Sequence, residues 1–294
     1  MNILITGASG LVGSALAEFL FAAGHSFFSL QRDQNKASGR FWNFERLTAD
    51  QTEPFDAVVH LAGENIATGR WTTGKKKRIL NSRIDGTTEL ARYLAGLTNK
   101  PKVFFSASAI GYYGNRGTEI VTETSASGSN FVAEVCRAWE QAADPAREAG
   151  IRVVHGRIGM VLSGKGGSLQ TMLPSFKMGI AGIVGSGEQY VSWTGIDDLV
   201  RMILFVLEGD DIGGPVNLVA PQAVTNRAFT KTLGAILGRP TVMKMPAFVA
   251  RTVFGQMADE LILSSTRVKP QVLEEAGYQF QQPELEQALR SCLA

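Results

Sequence analysis

Three glycines near the start of the chain, Gly7, Gly10 and Gly13, stand three residues apart. Before them, residues 2–5 form a short apolar run with β-branched members, the pattern of a buried strand. After them, Leu11, Val12, Ala15, Leu16, Phe19 and Leu20 recur at helical spacing. Strand, glycine turn and helix in that order make a site for a dinucleotide diphosphate. Gly7 allows the tight turn, Gly10 lets the diphosphate approach the backbone, and Gly13 lets helix and strand pack closely. The free N–H groups and positive end of the helix then face the phosphates. An ordinary strand-to-helix turn is the plainer alternative. A second group with chemical potential is Ser106 and Ser108, at the end of the apolar run 103–108, beside the loop AIGYYG at 109–114. There a hydroxyl could stand next to a reacting carbonyl or alcohol, or Ser and Gly could serve only the turn.

The elements that must hold these groups follow in alternation. Residues 26–30 read as the second strand, whose end reaches the adenosine ribose in a dinucleotide-binding fold. Gln31 stands there, followed by Arg32. A neutral residue beside a guanidinium suits a 2′-phosphate, because Arg can grip phosphate through two parallel hydrogen bonds. This favours NADP over NAD, unless Asp33 turns inward. Residues 41–44 fit a short third strand and 56–62 a clearer one. His60, inside the latter, reads as a packed, hydrogen-bonded residue rather than a catalyst. A long helical pattern spans 69–97. Its basic cluster, Lys75 to Arg78, reads as a solvated face, and Arg83 either turns toward the cofactor or faces water. A helix is expected at 130–149, with Glu134, Arg137 and Glu140 on its polar side, and a strand at 152–158. Residues 164–167 close a loop, and 174–195 carry no long periodic segment. Beyond them, 197–207, 226–237, 247–263, 270–276 and 285–293 look helical, and 215–219 looks like a strand.

The chain of 294 residues is 45% hydrophobic and 19% charged, enough for one large α/β domain or one domain with a smaller lobe. A net charge of +2 gives no indication of nucleic acid or of an anionic membrane. Cys136 and Cys292 make no disulfide framework, no Cys/His spacing suits a metal, and no apolar run is long enough to span a bilayer. No basic segment precedes an apolar one, so a cytoplasmic protein without a signal peptide is expected.

Assembled, these residues resemble the extended short-chain dehydrogenase/reductase superfamily. Within it they look like the atypical YfcH-like epimerase family proteins, a branch once mislabelled as SulA-like. The motifs are TGASGLVG at 6–13, Gln31-Arg32, HLAGENI at 60–66, Arg70-Trp71 and Ser82-Arg83. They continue with SASAIGYYG at 106–114, RIGMVLSGKGG at 157–167, the stretch 172–193, Asp197-Asp198 and the tail 268–293. The resemblance implies an α/β fold: a Rossmann-type doubly wound parallel sheet with a small C-terminal substrate lobe. Residues 1–165, with strands from about 190–220, would form the NADP(H)-binding domain. Residues 166–294 would form mostly the substrate side, including a small domain at 246–294. Gly7, Ser9, Gly10, Leu11 and Val12 would hold the diphosphate, and Gln31 and Arg32 the 2′-phosphate. Leu61, Ala62, Gly63, Ser106 and Arg83 would line the path to the nicotinamide ribose.

The superfamily's Tyr and Lys, in YxxxK, would fall at Phe131 and Val135, which carry neither hydroxyl nor amine. Ser108 matches the superfamily serine, and Tyr113 or its neighbour Tyr112 is the candidate substitute acid, although no lysine stands at the usual offset to tune it and a structural role for the pair is the alternative. A further departure is Gly195, where relatives tend to carry His. The expected activity is that of an NADP-dependent oxidoreductase or epimerase acting on a small carbonyl, alcohol or sugar-nucleotide. A non-catalytic NADP(H)-sensing or scaffold protein is the alternative. A homodimer is an expectation carried by the superfamily alone.

Overall fold

The computed structural model describes Met1–Leu30, Phe44 and Pro54–Ala294. Strand β1 (Asn2–Thr6) carries Ile3, Leu4 and Ile5, all fully buried. Because successive side chains point to opposite faces, Ile3 and Ile5 join one hydrophobic cluster and Leu4 another. A strand apolar on both faces belongs inside a parallel sheet. It pairs in parallel with β2 (Ser26–Leu30) on one side and β3 (Ala57–His60) on the other. From β3 the sheet runs through β4 (Val103–Ala109) and β6 (Arg152–Ile158) to β11 (Gly214–Leu218), all parallel. The reversal of strand order at β1 opens a crevice at its carboxyl end, where ligands of such sheets bind.

Helices cover both faces. Leu16 and Leu20 of α1 (Leu11–Ala22) pack on Ile3 and Ile5. On the other face, Leu90, Ala91 and Leu94 of α2 (Thr73–Ala95) pack on Leu4, Val58 and Phe104. Each fully buried leucine contributes about 2 kcal/mol. The expected helix 130–149 is two helices, α3 (Phe131–Gln141) and a short turn Asp144–Glu148. Pro145 has no N–H to continue the ladder, which ends the first helix before it. The strand expected at 41–44 lies outside the described residues except Phe44, which is helical and stacks on Tyr93 at 4.2 Å.

The small lobe is stitched from strand pairs. β7 (Met160–Leu162) pairs with β10 (Trp193–Gly195), and β5 (Ile120–Val121) with β14 (Arg267–Val268). β8 (Gly182–Val184) pairs with β13 (Met243–Met245), and β9 (Tyr190–Val191) with β12 (Val224–Thr225). Its core joins Leu162, Trp193, Phe229 and Leu289. A helix, Gly167–Lys177, starts where the loop 164–167 ends and runs through Pro174, into a stretch where the sequence shows no long periodic segment. The helix expected over 247–263 stops at Phe254, because Gly255 turns out at φ +62°, and a short π-helix follows at Ala258–Ile262. Asp198 fixes the tail: its carboxylate accepts from the backbone N–H groups of Gln281 and Gln282 at 3.0 and 2.9 Å.

Candidate active site

At the crevice, the glycine turn is tight in the way a phosphate cradle requires. Gly7 sits at φ +73°, and a Cβ there would lie 2.9 Å from the backbone N of Ala62. A Cβ on Gly13 would collide with the Gly7 carbonyl. Gly10 donates its N–H to the Gly7 oxygen at 3.0 Å and caps α1 with backbone alone. The first-turn N–H groups of Leu11, Val12 and Gly13 therefore meet no capping side chain, the arrangement in which a helix N-terminus can receive an anion. A cleft of about 350 Å³ opens beside them, lined by Ser9, Gly10, Leu11, Ser14, Lys165 and Gly166 among others.

Gly7 packs against the end of β3 and so brings Leu61, Ala62 and Gly63 to the same crevice. Arg83 turns inward. Its guanidinium lies 3.4 Å from the Cβ position of Gly63, donates to the carbonyls of Glu64 and Ile79, and stacks 4.8 Å over Trp139. Lys75 corrects the reading of a solvated basic face. It is buried, with Nζ donating to Glu64 Oε1 at 2.7 Å and to Thr68, while Lys77 and Arg78 remain exposed. The first turn of α2 presses against the β3 loop, so one face of the basic run turns inward. Gln31 and Arg32 lie outside the described residues.

Beneath this wall runs a row of polar side chains in register across four strands, Thr6, His60, Ser106 and His155. The Thr6 hydroxyl and His60 Nδ1 hydrogen-bond at 2.7 Å. Burial, with Arg83 nearby, lowers the His60 pKa to about 3, so it packs as neutral imidazole. Ser106 is fully enclosed in this row.

The other serine joins a charged cluster. Ser108, at the carboxyl end of β4, donates its hydroxyl proton to Glu140 Oε1 at 2.7 Å. Arg157, its register neighbour on β6, grips both oxygens of Glu140, each at 2.9 Å. Arg157 also donates to Tyr113 Oη at 3.0 Å and lies 3.5 Å over the Tyr112 ring. Burial alone would lower its pKa, but Glu140 and Tyr113 raise it. Tyr113 is fully buried and donates to Asn217 Oδ1 at 2.7 Å. Burial pushes its pKa up to about 12, with Arg157 opposing. Enclosed and bonded to Asn217 and Arg157, it has the surroundings of a structural post, the other role its sequence position allowed. Glu140, expected on a polar helix face, instead points at the sheet with its side chain 12% exposed.

The places of the missing Tyr and Lys are filled by packing. Phe131 meets Trp71 edge-on at 5.5 Å, and Val135 joins the apolar cluster with Ile79 and Met257. The N-terminus of α3 is closed by Asn130, which accepts from Ala133 N, and by Glu260, which accepts from Val132 N. Opposite Gly195, Gln282 Oε1 occupies the space a side chain would need. Sequence reasoning assigned no role to Glu140, Arg157 and Asn217. A lone Arg in the strand VVHGRIG was the available signal, since a charge in a buried strand must be paired.

The NAD dependent epimerase/dehydratase family model matches residues 3–218. The chain belongs to the NAD dependent epimerase/dehydratase family. Residues 245–292 match a domain of unknown function, DUF1731. Epimerase family protein Mb2239 of Mycobacterium bovis is 40% identical over 290 residues, covering 98% of this chain and 96% of that protein. The crystal structure of human epimerase family protein SDR39U1 with NADPH aligns at TM-score 0.89 and 33% identity, covering 99% of each chain. A nucleoside-diphosphate sugar epimerase from Corynebacterium glutamicum aligns at TM-score 0.80 and 37% identity, over all of this chain and 58% of that one. Among the described residues, no helix is long and apolar enough to cross a membrane.

Proposed function

We infer that this family member is an NADP(H)-dependent oxidoreductase or epimerase acting on a small alcohol, carbonyl or sugar-nucleotide. The human relative crystallised with NADPH and the cradle of Gly7, Gly10 and Gly13 support the cofactor, and Gln31-Arg32 its 2′-phosphate. Leu11 and Val12 would bind the diphosphate through their N–H groups, with Ser9 at the rim. Leu61, Ala62, Gly63 and Arg83 would line the ribose. When bound, NADP(H) supplies hydride exchange at a carbon bearing oxygen.

Ser108 carries the proposed proton chemistry. Its single proton is given to Glu140, so toward a substrate its oxygen is an acceptor. That polarity suits a substrate hydroxyl: Ser108 receives its proton as Glu140 receives the serine proton. Arg157 holds the carboxylate in place for this relay. The observation that carries this reading is the short contact from Ser108 to a carboxylate fixed by two hydrogen bonds. A panel of alcohols and sugar-nucleotides assayed for NADP⁺ reduction tests it. Ser108→Ala is expected to lower kcat about a hundredfold, the worth of one proton-transfer group; unchanged turnover overturns the role.

The apolar packing of Phe131 and Val135 favours a second reading, an NADP(H)-sensing protein without turnover. It predicts NADPH binding with no change of the cofactor in either direction across the panel.

A further inference from the structure

The loop that follows β7, Ser163 to Gly167, crosses to the first turn of α1. A Cβ on Gly166 would stand 3.2 Å from Leu11 Cδ1, and one on Gly167 3.0 Å from Leu11 Cδ2. The loop backbone therefore packs on the Leu11 side chain, and Gly167 takes φ +73°, a conformation that favours glycine. Both segments line the cleft, the turn and α1 through Ser9, Gly10, Leu11 and Ser14, the loop through Lys165 and Gly166. Lys165 is the cation among the residues lining it, and residues 6–13 contain none. A diphosphate seated there would meet backbone N–H groups from α1 and no positive side chain from that turn.

Lys165 is carried between Gly164 and Gly166, on a four-carbon stem with rotatable donors. Its ammonium lies 4.0 Å from Glu18 Oε2, with both side chains largely in solvent. Such an exposed pair is cheap to break.

We propose that Lys165 is a second jaw of the cofactor clamp, leaving Glu18 to pair with the diphosphate across the cleft. The proposal rests on the NADP(H) reading above. It adds a binding residue from the second half of the chain, outside the glycine turn. In the cofactor-free protein Glu18, which also lines the cleft, is the carboxylate that competes for the ammonium.

Calorimetric titration of nucleotide-stripped full-length protein with NADPH tests this, alongside displacement of NADPH by adenosine 2′-monophosphate, which lacks the diphosphate. Lys165→Ala is expected to weaken NADPH about tenfold, as for loss of one charge-assisted hydrogen bond. Its affinity for adenosine 2′-monophosphate should stay at the wild-type value. Lys165→Arg keeps NADPH affinity within about threefold, because the charge remains. Glu18→Gln tightens it about twofold by removing the rival carboxylate. Unchanged NADPH affinity in Lys165→Ala overturns the proposal. So does an equal loss for both ligands, which would mean a distorted loop and not a lost charge. Failure of the wild-type protein to bind NADPH at all would instead sink the cofactor reading, and the jaw with it.

Discussion

The proposed cofactor cradle and the Ser108 cluster sit at the carboxyl end of the same sheet, yet they are built from opposite materials. The cradle is backbone: three glycines within seven residues, whose value is the absence of side chains. The cluster is side chain: Ser108, Glu140, Arg157, Tyr113 and Asn217, drawn from more than a hundred residues of chain and satisfied by one another. A backbone cradle is spoiled by adding atoms. A buried ionic cluster is spoiled by removing one partner, because the charge left behind has neither water nor counter-ion.

The predictions press on that contrast. Arg157→Met strands Glu140 inside the fold and is expected to cost about 4 kcal/mol in denaturant unfolding. A cost below about 1 kcal/mol would show that Glu140 relaxes into solvent. Gly13→Val adds atoms against the Gly7 carbonyl, costs on the order of 3 kcal/mol, and removes NADPH binding from whatever folds. Binding kept at the wild-type value would mean the diphosphate sits elsewhere. Asp198→Ala unpairs the N–H groups of Gln281 and Gln282 and costs about 2 kcal/mol, read by limited proteolysis of the C-terminal tail. Tyr113→Phe costs about 1 kcal/mol by leaving Asn217 and Arg157 each a partner short. It should leave NADPH affinity unchanged, as befits a post and not a contact.

The pH dependence has a definite sign. His60 is neutral in the fold, with a pKa of about 3, against 6.5 when unfolded. The unfolded chain therefore binds a proton that the native chain refuses. Stability is complete above pH 6.5 and falls below it, by about 1 kcal/mol between pH 6.5 and 5.5. Burial lowers the His155 pKa as well, which steepens the same fall. Melting temperature measured against pH should flatten in His60→Gln; an unaltered slope would place the titration elsewhere.

How much of this could be read in advance follows from the same contrast. The glycine turn, its strand and its helix are local, so spacing alone exposed them. Strands β3, β4 and β6 were equally legible as apolar runs. Helix ends at Pro145 and Gly255 were not, because the helical pattern of apolar residues continues past both while the backbone does not. Tyr113 could be read in sequence as a substitute acid or as a structural residue; its hydroxyl enclosed against Asn217 is visible only in the fold. Lys75 and Glu140 looked like surface charges, because helical spacing alone does not say which polar positions turn inward. Gln282 filling the space at Gly195 joins positions 87 residues apart, beyond any local signal.

The central claim is that the α1 turn binds a dinucleotide carrying the extra 2′-phosphate. Calorimetry on nucleotide-stripped protein with NADPH and NADH in parallel tests it most directly. The account predicts NADPH binding at least about tenfold tighter than NADH, the worth of one bidentate arginine–phosphate contact. Equal affinities, or no heat with either, would contradict it.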